Sequence, residues 1–225
     1  MADASAVFQR LGTMGWLIVA GRPPVLDRFN AQIPERLLEL ADLSRQPLLI
    51  TPDPVFEEDL ERFVGDLEIF LGAEIQIVNP IDLGDESLRQ LWLNAGIVLL
   101  AGGTGAFWHE LIAERLFRIR PQEILAEGAV LFAFGPAAGV MGAWMLDSKD
   151  QHIDQGLGWI MGAVVIATNR DPAEIAAVRN HLEDREGVFA LGLPDGAMLA
   201  LGPRGEVEVW SEKAPVLLLG SGWQR

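Results

Sequence analysis

Short, almost unbroken apolar runs, each followed by a glycine-rich or amphipathic stretch, recur along the chain from Trp16 to Ala167. A strand covered by helices on both faces must be apolar on both, whereas a half-exposed strand alternates. Runs of this kind separated by helical stretches predict a mostly parallel sheet wrapped in helices, an α/β architecture. Strands are expected over 16–20, 47–51, 74–78, 97–101, 129–134 and 162–167. Over 55–71, the residues Phe56, Leu60, Phe63, Val64, Leu67, Phe70 and Leu71 repeat at helical spacing and predict one apolar face. A helix over 34–43 opens with Pro34, at a first-turn position where the missing N–H has no intrahelical partner. Another is expected from Asp171-Pro172 to about Arg185, with Asn169 or Asp171 as its cap.

Beyond residue 186 the rhythm changes. Short runs at 188–193, 197–201, 206–210 and 216–219 are separated by turn residues, and Gly202-Pro203-Arg204-Gly205 suits a hairpin connection. A β-rich, antiparallel C-terminal extension is therefore expected to finish the sheet. No repeat, low-complexity tract or linker divides the chain, so residues 1–225 are read as one domain. A domain of that length buries about 70–75% of its unfolded surface.

Composition narrows the function. The chain has no cysteine and three histidines, which excludes disulfides, thiolate ligands and a cysteine nucleophile; no metal site and no cofactor are expected. A formal net charge of −15 opposes a polyanionic partner, so nucleic acid is not expected. The same charge serves solubility or suits a cationic ligand. No apolar run reaches the roughly 18–20 residues of a membrane span. Residues 1–10 carry Asp3 and no apolar block, unlike a signal peptide, so a cytoplasmic location is expected.

Ligands of open α/β sheets bind beyond the carboxyl ends of the strands. Two loops stand there. Ala101-Gly102-Gly103-Thr104-Gly105 follows one strand and precedes a helix. Its glycines either serve a tight turn or let backbone N–H groups approach an anion or a developing oxyanion. It lacks the lysine of a phosphate loop. The second loop, Gly135-Pro136-Ala137-Ala138-Gly139, lies between the strand at 129–134 and a helix expected over 138–146. Strand, sharp turn with glycines two residues either side of a centre, then helix, is the pattern of a nucleophile elbow. The centre here is Ala137, and a methyl group cannot attack a carbonyl.

On these loops the chain resembles the dipeptidase E and cyanophycinase group of serine peptidases, which have a class I glutamine amidotransferase-like fold. The resemblance is best over 96–201 and one of pattern only over 16–95. Gly102-Gly103 matches the family's glycine pair, and Gly135 to Gly139 its Gly-x-Ser-Ala-Gly elbow with alanine for serine. Gly156-Leu157-Gly158 matches its Gly-Leu-Gly segment, and Gly192-Leu193-Pro194-Asp195 the start of its Gly-Ile-Asp-Glu run.

The family's base is a histidine in an Asp-Thr-His or Asp-Gln-His motif, and two registers compete for it. Asp150-Gln151-His152 looks like that motif but precedes Gly156-Leu157-Gly158, whereas the family's histidine follows that segment. In the register we favour, the motif becomes Ala167-Thr168-Asn169. The triad positions then read Ala137, Asn169 and Asp195, with His152 the less favoured base.

The resemblance implies oxyanion donors at Gly103 and Ala138, and a cleft lined by Gly102, Thr104 and Pro136. It implies a flavodoxin-like three-layer sandwich. Loss of nucleophile or base alone costs a serine-protease triad about 10⁶-fold in turnover. The reading is therefore a non-catalytic homologue that binds a small peptide or metabolite, or acts as an assembly partner. The alternatives are a working hydrolase with a displaced nucleophile, for which Thr104 and Ser148 are the nearby hydroxyls, and a structural subunit whose cleft is filled by Trp108 or Trp144. His109 and His181 are read as structural and solvated. The apolar content and seven tryptophans predict a homo-oligomer.

Overall fold

The structure, a computed structural model, describes residues 7–9, 15–26, 32–53, 57–117, 125, 128–147, 149 and 151–223. Of the sequence expectations, Phe56, Ser148 and Asp150 lie outside the described residues.

The strands are β1 (Trp16–Ala20), β2 (Leu48–Ile50), β3 (Gln76–Val78), β4 (Ile97–Leu100), β5 (Val130–Phe134) and β6 (Gly142–Leu146). They continue as β7 (Ile153–Gln155), β8 (Ile160–Ile166), β9 (Phe189–Gly192), β10 (Met198–Leu201), β11 (Val207–Val209) and β12 (Val216–Leu219). Helices α1 (Gln32–Leu40), α2 (Glu58–Leu71), α3 (Asp85–Asn94), α4 (Gly105–His109), α5 (Pro136–Val140) and α6 (Ala176–Asp184) connect them. Helix α4 runs on into a π-helical stretch, Glu110–Leu116.

This is an α/β sandwich of flavodoxin-like type, with one correction to the expected sheet. The described residues form two sheets. A 7-stranded sheet runs β11-β10-β1-β5-β4-β2-β3 and a 5-stranded sheet runs β12-β9-β8-β6-β7. In the first, β1, β5, β4, β2 and β3 are parallel, and β10 and β11 complete it antiparallel. In the second, β6, β8 and β9 are parallel between antiparallel edges β7 and β12. The C-terminal extension is thus divided, β10 and β11 joining one sheet and β9 and β12 the other.

The split originates after the glycine turn at 135, where the helix expected over 138–146 is short. It ends at Val140, and Gly142–Leu146 is strand β6. The Gly142 backbone approaches β8 so closely that a Cβ there would lie 2.6 Å from the Ala163 carbonyl oxygen. That contact leaves no room for a side chain at position 142, and glycine permits the pairing with β8. The segment from 171 to 185 is likewise broken, into a 3₁₀ turn at Pro172–Glu174 and α6, with Ile175 extended between them.

Local chemistry accounts for the other elements. Helix α2 carries Glu58, Asp59 and Glu61 in its first turn, where negative charge offsets the helix dipole, and ends on Gly72 at φ 63°. It buries Leu60, Phe63, Val64 and Leu67, while Phe70 is exposed. Strands β1, β2, β4 and β5 are buried throughout. One apolar cluster joins the two sheets, bringing Leu17 and Val19 of β1 together with Ala163 and Val165 of β8. Ala137, Ala138 and Val140 of α5 sit in the same cluster, each 0% exposed. Among the described residues no helix is long and apolar enough to cross a membrane.

Candidate active-site cleft

Loops at the carboxyl ends of β1, β2, β4, β5, β8 and β9 converge on one cleft of about 360 Å³. They contribute Gly21 and Arg22, Thr51 and Asp53, Gly102 and Gly103, Gly135 and Pro136, Thr168 and Asn169, and Asp195. The first and last of these loops pack backbone to backbone. A Cβ on Gly21 would lie 2.3 Å from the Leu193 carbonyl oxygen, so only glycine permits the approach. The Gly135 N–H donates to the Ala20 carbonyl at 3.0 Å and ties the β5 loop to β1.

The strained turn after β5 lies two residues earlier than the position the sequence pattern suggests. Gly135 has φ 53° and ψ −122°, a conformation disfavoured for any residue with a Cβ, and α5 starts immediately after it. Ala137, expected at the turn, is instead a buried residue inside α5. Ala138, expected as an oxyanion donor, is also buried in α5 and does not line the cleft. The signal available in the sequence was Pro136. Proline is favoured in the first turn of a helix, which makes the preceding residue the point where strand becomes helix.

This shift changes the chemistry of the turn. In a nucleophile elbow, the strained residue presents the nucleophile and the next residue gives an N–H to the oxyanion hole. Here the strained residue has no side chain and the next, Pro136, has no N–H. The glycine loop after β4 would supply the other donor. Gly102 and Gly103 both have positive φ, 74° and 65°, and aim the Gly103 N–H at the Asp53 carboxylate, 2.9 Å away. Trp108, fully buried, locks this loop by donating its indole N–H to the Gly102 carbonyl at 2.8 Å. Thr104 caps α4, its hydroxyl accepting from the Phe107 N–H at 3.2 Å.

Asn169 and Asp195 meet directly. The Asn169 amide donates to the Asp195 carboxylate, and the Asp195 backbone N–H donates to the Asn169 carbonyl oxygen at 2.8 Å. Arg22 approaches the other Asp195 oxygen at 3.7 Å and Asp59 at 3.6 Å. Arg22 is the only basic side chain among the described lining residues, against the carboxylates of Asp53, Glu57 and Asp195. His152 does not line this cleft. It is exposed in the turn joining β6 to β7, where its backbone N–H donates to the Asp147 carboxylate at 3.1 Å. That hydrogen bond is the main cause holding the Asp147 carboxyl below its usual range. His109 lines neither this cleft nor its neighbour.

No family model and no curated protein sequence matches the chain. Solved structures do. A peptidase from an acI-B1 Actinobacterium is 15% identical, with a TM-score of 0.60 over 92% of this chain and 95% of that one. A candidate peptidase E from Listeria monocytogenes EGD-e is 10% identical, with a TM-score of 0.55 over 92% of this chain and 100% of that one. The chain has a peptidase E-like fold. At such identities the likeness is one of fold, and the chemistry of the cleft follows from its own side chains.

Those side chains include no histidine or lysine and no cysteine among the described lining residues. The hydroxyls present are Thr51 and Thr168, already engaged by the backbone N–H groups of Asp53 and Arg170 at 3.2 Å and 3.3 Å. The cleft is open, since Trp108 packs beneath the glycine loop and Trp144 lies on β6 against His181, 4.8 Å between ring centroids. The arrangement can therefore hold a small polar molecule, chiefly through carboxylates.

Proposed function

We propose that this chain is a non-catalytic homologue of the dipeptidase E and cyanophycinase-type serine peptidases, which holds a small peptide or metabolite in the inherited cleft. The observation that carries the reading is the pair Gly135-Pro136. The turn that should present a nucleophile has none, and the residue that should give the oxyanion donor is an imino acid. Two further features agree. The Gly103 N–H is directed to Asp53, and the base position of the favoured register is an amide paired with Asp195. A serine needs a neighbouring base to become nucleophilic, and an amide has no useful proton affinity.

The test is turnover. Purified protein is incubated with Asp-containing dipeptides and with cyanophycin, and released amine is followed over hours. The expected result is release at the uncatalysed rate. Hydrolysis proportional to protein concentration and abolished by Asn169→Ala would overturn the reading in favour of a displaced catalytic set.

A further inference from the structure

A second cavity, of about 740 Å³, lies on the other side of the elbow. Gly103, Gly135, Pro136, Ala167 and Thr168 line both cavities, so the two adjoin along this ridge. No side chain on the ridge is larger than proline or threonine. A nucleophile at position 135 would rise from it; glycine leaves it bare.

The two sides differ in chemistry. The first cavity holds Asp53, Glu57 and Asp195 against a single arginine. The second is walled chiefly by Val140, Met145, Leu146, Val165 and Ile166, with Asp147 and Asp154 also in its lining, so it is the more apolar of the two without being free of charge. Its size falls within the range of about 300–1,000 Å³ that takes small organic ligands. We propose that the two cavities form one binding site for an amphiphilic amine. Its ammonium group lies among the carboxylates of the first cavity, and its apolar body crosses Gly135 into the second. Charge complementarity selects the head, and removal of apolar surface from water holds the body.

The proposal rests on the preceding reading in one respect, that the ridge carries no nucleophile. It is tested separately, because the probes contain no scissile bond. Linear alkylamines from butylamine to octylamine are titrated calorimetrically into the protein, with alkanoates of equal length alongside. Each methylene that enters an apolar site strengthens binding about fourfold, the factor equivalent to about 0.8 kcal/mol. The expected result is such a gain over at least three successive methylenes, with alkanoates at least tenfold weaker. Ala106→Trp adds a large ring at an exposed helix position on the wall of the second cavity. It should remove the gain with length.

A flat series in the unaltered protein would overturn the proposal, and that series decides the matter even if the variant fails to fold. Equal binding of alkanoates, or a length dependence that survives in Ala106→Trp, would overturn it too. None of these outcomes bears on peptide turnover, and turnover would not bear on the titration.

Discussion

Placing the elbow at Gly135 makes a prediction about stability that is independent of function. A Cβ added at Gly135 would meet the Gly21 carbonyl oxygen at 3.5 Å, an ordinary contact. Gly135→Ala therefore introduces no clash, and its whole cost is the backbone conformation at φ 53° and ψ −122°. Holding a non-glycine residue in so sparsely populated a region costs about 1–3 kcal/mol. For a domain of 150–250 residues, each kcal/mol lowers the melting temperature by about 2–4 °C, so Gly135→Ala should melt about 2–12 °C lower. Gly102→Ala should cost more, because its Cβ would lie 2.0 Å from an Asp53 carboxylate oxygen in addition to a φ of 74°. Gly158→Ala, with φ 73° and open space around its Cβ, is the control for strain alone. Scanning calorimetry of the three variants checks the order. A Gly135→Ala protein that melts with the unaltered chain would refute the elbow at that position.

Further outcomes follow from the same geometry. Ala137→Ser should give no hydrolysis and should destabilise by about 1–3 kcal/mol, since it puts a hydroxyl where the residue is 0% exposed; urea unfolding and the peptide assay read the two effects. Gly135→Ser with Pro136→Ala and Asn169→His is the minimal set for measurable turnover, because it supplies nucleophile, oxyanion N–H and base together; each single change should remain inactive. His181 lies against Trp144 with its Nε2 buried and unpartnered among the described residues, and burial, reinforced by Arg185, lowers its pKa below 6.5. The unfolded chain then binds the proton more readily, so this contribution to stability is present above about pH 6.5 and is lost as pH falls below it. His181→Gln should flatten that part of a pH series of unfolding midpoints. Edge strand β12 exposes Val216, Leu217 and Leu219, so we expect an assembly larger than one chain, and light scattering at 24.6 kDa would contradict that.

The fold was largely legible where burial on both faces writes an apolar run, as in β1, β4 and β5. It was illegible where two structures satisfy one pattern. The segment from 138 to 146 is apolar throughout, which suits a buried helix or a buried strand equally. The strand is decided by pairing with β8, which Gly142 approaches so closely that a Cβ there would lie 2.6 Å from the Ala163 carbonyl oxygen. Glycine spacing alone aligned Ala137 with a nucleophile, because spacing does not report which residue turns left-handed. The meeting of Asn169 with Asp195 followed from ordering the motifs along the chain, whereas the role of Asp53 had no sequence signal. Asp53 lies 50 residues before Gly103 and reaches it only because β2 and β4 are adjacent and parallel.

The proposed absence of a nucleophile from the cleft is open to a chemical test. A fluorophosphonate reagent, which reacts covalently with activated serines and threonines, tests it directly when the product is weighed by intact-protein mass spectrometry. An unmodified mass is expected after prolonged exposure of the unaltered chain. A single adduct mapped to a residue lining the cleft would contradict it.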